Sequence, residues 1–374
     1  MSRLVLLGGG HAHLFVLEGL ARLPLKGVDA TLISLDERQA YSGMVPGMIG
    51  GQYQPSQLSF DLSAISRRAG VTFLREEAVE LAPEKRQVLL ASGRAIEYDI
   101  LSVAIGSTIE GGDLPGVAEH AYRVKPIGRA AEIVPALEQA AAEAAAVVVV
   151  GGGAAGIEVA LSARARLRRL GREEATVTLL ESAPRLLGGR MGSAERCLVR
   201  ALAANRVGVR LDCRVAAVLA DAVRLESGTT LPSHVTIWST GAAAPPLLRR
   251  CGLPLDPRGF LLVDPQLRSV GDPAVFAAGD AATLARNPGT AKAGVYAVRE
   301  GPVLWRNLAA ASGVARPRAY HPQQNFLAIL NTGDGKAVLG YRGLATWSGW
   351  AMALKDRIDR GFIRRFQRLE QARG

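Results

Sequence analysis

Residues 4–13, LVLLGGGHAH, and 147–158, VVVVGGGAAGIE, each run four apolar residues straight into three glycines. That arrangement suits a phosphate cradle. Gly8 and Gly151 permit the tight turn, and Gly10 and Gly153 let a pyrophosphate approach the backbone at a helix N-terminus. The third position, Gly156 in the second copy, lets the helix pack close to its strand. The first copy holds His13 there, so its phosphate chemistry is expected to survive with the helix set slightly away from the sheet. His11 stands in the phosphate turn, where a ring nitrogen can donate to a phosphate oxygen, and Ala12 follows it. Neither histidine reads as a metal ligand, because no third ligand is near in sequence; no metal site is expected.

Polar residues at strand ends supply the next chemistry. Ser34 or Asp36 ends the strand expected at 28–34 and would hydrogen-bond the ribose of a first nucleotide. Glu181 ends the strand at 176–181 and does the same for a second. A carboxylate there accepts from a 2′-hydroxyl and repels a 2′-phosphate, which favours NADH over NADPH, while Arg185 nearby opposes that preference. AVFAAGD, 274–280, reads as a strand ending in Gly279-Asp280 and opening a helix.

The elements that position these residues are legible from periodicity. Strand 3–7, helix 11–23 and strand 28–34 make one βαβ unit; 147–167 and 176–181 make another about 140 residues later. Two such units imply two nucleotide-binding domains. Between them a β-hairpin region spans 71–98, a strand at 98–107 contains Ala104 and Gly106, and the alanine-rich 128–145 is helical. Short strands follow at 209–225, then VTIWSTG, 235–241, ends in Gly241, and FLLVD occupies 260–264. With no low-complexity linker, one domain is expected to interrupt the other: 1–116 and 245–315 form the first, 117–244 the second, and 316–374 a C-terminal region.

Residues 345–368 read as a basic amphipathic helix. Trp347, Trp350, Leu354, Ile358, Phe362 and Phe366 form its apolar stripe, with Lys355, Arg357, Arg360, Arg364, Arg365 and Arg368 around it. Two readings stand: packing on its own domain or on a homodimer partner, or peripheral attachment to an anionic membrane.

Composition bounds the rest. A 374-residue chain that is 48% hydrophobic can bury two or three cores. The net charge of +11 is scattered arginine, and 5% aromatics are too sparse for base-stacking platforms, so no nucleic acid is expected. Cys197, Cys213 and Cys251 include no CxxC pair, which argues against a dithiol centre. No apolar run reaches the ~20 residues of a membrane span. A strand beginning near residue 3 leaves no room for a signal peptide, and a cytoplasmic location is expected.

GGGHAH at 8–13, VAIGS at 103–107, GGGAAGIE at 151–158 and FAAGD at 276–280 fall in an order and spacing that resembles the two-dinucleotide-binding-domain flavoproteins of the pyridine nucleotide–disulfide oxidoreductase superfamily. The resemblance implies an α/β fold of two Rossmann-like domains, FAD on the first and NAD(P)H on an inserted second, with hydride transfer between nicotinamide and isoalloxazine. Without CxxC, electrons cannot pass to a protein disulfide. GGGAAGIE is similar to the type II NADH dehydrogenases, whose glutamate maps onto Glu158 as a nicotinamide contact or a residue that orients one. Sulfide:quinone oxidoreductases place a reactive cysteine near that position. A further resemblance, carried by GGGHAH, YSGMVPGMIGG (41–51), AKAGVYAVREGPVL (291–304) and FLAILNTGDGKA (326–337), is to a dehydrogenase-like flavoprotein associated with selenide, water dikinase. The glutamine pair of the type II enzymes is replaced by the region of Lys292 and Tyr296.

Carried over by position, Gly8, Gly10 and His11 would touch the FAD pyrophosphate, and Ser34 or Asp36 its ribose. Val79 would offer backbone to the adenine, Asp280 would accept from ribitol, and Val45 and Pro46 would lie beside the flavin. Lys292 would bring positive charge to the N1/O2 edge, or else be a solvated surface lysine. Ala12, Ala104, Gly106, Gly241, Gly279 and Ala293 complete the expected cofactor contacts. The resulting expectation is an FAD-dependent NADH oxidoreductase delivering electrons to a second small molecule, a quinone. The rivals are a reductase of sulfur or selenium metabolism and an FAD-bound sensor with little turnover.

Overall fold

The computed structural model describes residues 1–140, 145–189, 192–323 and 325–371. From the N-terminus, β1 (Ser2–Leu7), α1 (His11–Arg22) and β2 (Val28–Ser34) form the first βαβ unit, followed by the short helix α2 (Val45–Ile49). β3 (Thr72–Arg75) joins the same sheet, β4 (Ala78–Ala82) enters a small antiparallel sheet, and β5 (Ile100–Val103) returns. The second sheet then takes β6 (Ala121–Arg123), β7 (Ala146–Val150), β8 (Thr176–Leu180), β9 (Val207–Arg210) and β10 (Val235–Trp238), with α3 (Ala154–Arg169) between β7 and β8. β11 (Val275–Ala277) goes back to the first sheet. α4 (Gly294–Ala311), an antiparallel sheet of β12 (Ala328–Asn331), β13 (Ala337–Tyr341) and β14 (Leu344–Ser348), and α5 (Gly349–Gln371) complete the chain.

The first sheet has the order β11-β5-β1-β2-β3 and the second β6-β10-β7-β8-β9, with parallel pairing throughout. Because β11 lies beyond β10 in sequence, the second unit is inserted into the first. The central strands read as unbroken apolar runs since both their faces are covered: Leu4 to Leu7 are at most 3% exposed and Val147 to Val149 at most 2%. In each sheet the chain leaves the first strand of the unit to one side and later returns on the other. This creates a crevice at the carboxyl ends of β1 and β5, and another at those of β7 and β10, the switch points where α/β sheets bind ligands. Both glycine turns sit in these crevices.

Three expected elements differ. Gly279-Asp280 opens only a single tight turn, Gly279–Ala281, because Ala282–Leu284 is a strand paired with Leu261–Val263; the helix waits until Gly294. The helix expected at 128–145 is a tight helical segment, Ile127–Glu132, followed by Ile133–Gln139, and 141–144 lie outside the described residues. The C-terminal helix starts at Gly349, because Ala345, Thr346 and Trp347 pair with β13.

The face of α5 also differs from the expected stripe. Ala351, Lys355, Asp359, Ile363 and Phe366 are buried, while Trp350 and Ile358 are 59% and 46% exposed. Phe366 meets Phe15 edge-on at 5.1 Å and Phe60 at 5.8 Å, and Phe362 stacks on Tyr41 at 4.5 Å. Arg365 donates to both carboxylate oxygens of Glu18, and Tyr53 donates to Asp356. Long-range aromatic partners outcompete the helix's own hydrophobic periodicity, so the helix packs on the first domain. Among the described residues no helix is long and apolar enough to cross a membrane.

Candidate active site

Gly8, with φ +93°, needs the conformational freedom of glycine, and a Cβ there would lie 2.6 Å from the Ala104 carbonyl oxygen. At Gly10 the same oxygen would be 2.3 Å away. This adds a reason for glycine at the second position of the first turn: the tip of α1 is pressed against the end of β5, and the Gly10 N–H donates to Ala104. A Cβ at Gly153 meets nothing within 4 Å, which leaves room for a ligand, and Gly156 is the crowded position, 1.8 Å from the Gly151 oxygen.

His13 is fully buried at the position equivalent to Gly156. Its Nδ1 lies 2.6 Å from the Gly8 carbonyl and its Nε2 2.8 Å from Ser102 Oγ. A carbonyl can only accept, so Nδ1 carries the proton and Nε2 accepts from Ser102. Burial pushes this imidazole down to about 4, against the Gly8 bond, so it is neutral scaffolding at pH 7. His11, also held down to about 4 by burial, has its Nε2 buried without a partner among the described residues, beside the ring of Tyr41.

One continuous cavity of about 2180 Å³ runs between the two glycine turns. Single-ligand pockets hold roughly 300–1,000 Å³, so it has room for two dinucleotides. Gly8, Gly10, His11, Ala12, Ser34, Asp36, Val79, Ala104, Gly106, Gly151, Gly153, Glu158, Glu181, Gly241, Gly279, Asp280, Lys292 and Ala293 all line it. Three expected residues do not. Gly156 serves the helix–strand contact, and Val45 and Pro46 are buried in α2 behind Tyr41, Ser42 and Gly43, which line the cavity instead. The YSGM segment carried this signal, but the turn before α2 decides which of its residues face inward.

The far ends of the cavity are set by backbone. The pairing of β4 shifts register between Ala78 and Glu80, leaving Val79 outside the ladder. Ser34 donates to the Asp36 carbonyl at 3.0 Å, and Asp36 lies against Gly128. On the other side, Glu181 accepts from the N–H groups of Gly152 at 2.7 Å and Ala183 at 2.8 Å. That orients it at the second turn with lone pairs to spare. Arg185 does not reach it and pairs with Glu195 at 2.6 Å.

Asp280 accepts from Lys125 at 2.6 Å and Ser107 at 2.8 Å. Burial pushes its carboxyl up, but the Lys125 charge and the two hydrogen bonds outweigh it and hold it below the usual range. The buried Glu300 accepts from the Gly279 N–H at 2.6 Å, and desolvation takes it up to about 7. Lys292 donates to the Ala282 carbonyl and, at 2.8 Å, to Thr283, and lies 4.1 Å from the Phe260 centroid. Burial brings it down to about 8, with Asp256 and Asp280 opposing. Its ammonium is engaged by the protein while still lining the cavity.

Glu158, on the first turns of α3, lines the cavity. Its Oε1 accepts from the Asn331 N–H at 2.7 Å. Desolvation pushes its carboxyl up to about 7; Lys355 and the Asn331 bond oppose this and Asp359 adds to it. Lys355 and Asp359, both buried on α5, are 2.7 Å apart, and Lys355 also donates to the Gly43 carbonyl at 2.7 Å. Sequence reading missed Lys125 and Glu300, and it set Lys355 outside the apolar stripe, where the structure buries it with Asp359.

The residues fit a bound FAD and NADH. Helix N-termini with glycine turns line the cavity, a register shift falls at Val79, His11 Nε2 is buried without a partner among the described residues, and the acidic Asp36, Glu181 and Asp280 line the wall.

A family model described as pyridine nucleotide-disulphide oxidoreductase matches residues 2–301. The chain is 33% identical over 290 residues to an NADH dehydrogenase-like protein of Mycobacterium tuberculosis, covering 72% of this chain and 70% of that protein. It is 25% identical over 279 residues to a demethylphylloquinone reductase of Synechocystis, covering 71% and 68%. In three dimensions it superposes on the sulfide:quinone oxidoreductase of Aquifex aeolicus with a TM-score of 0.83 at 20% identity, over 99% of this chain and 92% of that one. That last likeness speaks to the fold alone.

Proposed function

Since the chain belongs to the pyridine nucleotide-disulphide oxidoreductase family, we propose that it is an FAD-dependent NADH oxidoreductase that delivers electrons to a quinone. One observation carries this reading: a single cavity joins both nucleotide turns, with Glu158 in its wall and no CxxC pair in the sequence to receive the electrons. The demethylphylloquinone reductase among the relatives supports the choice of acceptor.

Bound FAD would supply hydride acceptance from NADH and electron donation to the acceptor. The N-terminus of α1 and the Gly8 turn hold one pyrophosphate, the N-terminus of α3 and the open space at Gly153 the other. Asp280, braced by Lys125 and Ser107, orients ribitol hydroxyls, and Lys292 places positive charge on the cavity wall. Glu158, with its carboxyl raised to about 7, is about half protonated near neutral pH, and its protonated form can give one of the two protons that a quinone takes up with two electrons.

Mixing the holoprotein with NADH without oxygen should bleach the flavin absorbance within the dead time or seconds, and a soluble quinone should restore it. Persistent colour would sink the oxidoreductase reading. Restoration by polysulfide or selenium species but not by quinone would favour the second reading, which the resemblance to the flavoprotein associated with selenide, water dikinase motivates.

Glu158 gives this function a pH signature. Its carboxyl is protonated below about 7, so quinone turnover should be highest on the acid side and fall as pH rises through about 7. Glu158→Gln should flatten that limb and lower turnover on the order of 100-fold. A wild-type profile in Glu158→Gln would remove Glu158 from proton delivery.

Glu181 should make NADH the better donor. A hydrogen bond to the 2′-hydroxyl together with repulsion of a 2′-phosphate contributes roughly 1–3 kcal/mol, about tenfold to a hundredfold in kcat/KM. Glu181→Ala should erase most of that ratio, and equal rates with NADPH in the wild type would contradict the assignment.

The outward face of α5 carries Trp350 beside exposed Arg357 and Arg364, whereas the exposed side of Ile358 lines the cofactor cavity. This supports peripheral contact with an anionic membrane, the phase in which a quinone resides.

A further inference from the structure

Away from the cofactor cavity, a cleft of about 410 Å³ opens between the C-terminal half of α1 and the outer half of α5. Its walls are Arg22, Arg364, Arg365 and Arg368, with Gly361 leaving the floor clear: a Cβ there would meet nothing within 4 Å. Among the described residues the only acid lining it is Glu18, whose side chain is 6% exposed. Arg365 donates to Glu18 Oε1 at 2.9 Å and Oε2 at 2.6 Å, and Arg22 donates to Oε1 at 2.9 Å. Arg365 is further fixed over the Phe15 ring at 4.8 Å.

One carboxylate therefore faces four guanidinium groups. Arg364 and Arg368, four residues apart on one helix face, repel each other and have no carboxylate partner among the described residues. A cluster built only for stability would place acids opposite them. Here the surplus cations surround an open concavity, and each guanidinium presents a planar fork of donors that matches phosphate oxygens.

We propose that this cleft is a binding site for a phosphate dianion or phosphate monoester. Arg364 and Arg368 grip the ligand, while Glu18 holds Arg365 and Arg22 in place at the back of the site. Such a ligand would bridge α1 and α5 and stabilise their contact by mass action. The site is independent of the redox reading above.

The test uses the FAD-loaded full chain at constant ionic strength. Calorimetric titration with inorganic phosphate should give saturable binding, absent when chloride replaces it. Flotation with vesicles of phosphatidylcholine containing phosphatidic acid, against vesicles of matched surface charge containing phosphatidylglycerol, asks whether a lipid phosphate monoester can be the source; equal binding to both is general attraction to an acidic surface and does not support the cleft. In Arg364→Gln/Arg368→Gln, phosphate binding should weaken at least about tenfold, since two charge-assisted forks are lost. Flavin absorbance and NADH bleaching should not change, which shows that the variant is folded. Binding of phosphate, or preferential binding of phosphatidic acid vesicles, that disappears in the variant supports the site, and the probe that binds identifies the source. Binding that persists in the variant, or no binding of either probe to the wild type, overturns it.

Discussion

A chain ending at residue 348, lacking α5, is expected to lose its FAD and most of its stability. The helix buries Ala351, Ile363 and Phe366 and packs Phe362 on Tyr41, a residue of the cavity wall. Burial of large apolar side chains stabilises by about 1.5–3 kcal/mol each, so losing Ile363 and Phe366 alone removes a substantial part of the roughly 5–15 kcal/mol that holds a typical domain. Truncation also leaves the Glu18 carboxylate without Arg365 and opens the side of the cavity that Lys355, Asp359 and Phe362 close. The readout is flavin content after gel filtration, with thermal unfolding of the apoprotein. The point variant Phe366→Ala should lower stability by about 3–5 kcal/mol while α5 stays in place. A truncated protein that stays yellow with an unchanged melting temperature would show that α5 is an appendage.

Gly10→Val should yield no FAD-loaded protein, whereas Gly153→Val should yield a yellow protein that NADH cannot bleach. The first side chain would drive into the Ala104 carbonyl, 2.3 Å from its Cβ, and that backbone cannot move without breaking the end of β5. The second finds empty space at its Cβ, so the fold survives, but its methyl groups fill the approach to the N-terminus of α3. His13→Gly falls between. It keeps the turn and should keep FAD, but loses the bonds to Gly8 and Ser102 and leaves a hole, roughly 3 kcal/mol in all. Flavin content, bleaching by NADH and melting temperature separate the three. A stable yellow Gly10→Val protein, or a Gly153→Val protein that bleaches normally, would reverse the roles of the two glycines.

Much of this molecule is written locally. Strand, glycine turn and helix follow one another within about 30 residues in both units, so periodicity and turn chemistry alone place Gly8, Gly151, Gly153 and Gly156 and predict which strand end carries Glu181. The return of β11 to the first sheet agrees with the assignment of 245–315 to the first domain, for which FAAGD was one of the motifs of the family resemblance. What local pattern could not carry was decided by partners distant in sequence. The crowding at Gly10 comes from Ala104, the brace on Asp280 from Lys125, and the bond on Glu158 from Asn331. The last helix shows the reason most directly. Its apolar residues admit more than one inward face, and the sequence cannot say which surface it meets. Phe15, Phe60 and Tyr41, 300 residues or so away, select the face centred on Lys355 and Asp359, because burying that ion pair against the Gly43 carbonyl satisfies its charges while Phe362 and Phe366 fill the aromatic cluster. A hydrophobic stripe thus determined that the helix is amphipathic. The tertiary contacts alone determined that its inner side is a wall of the cofactor cavity.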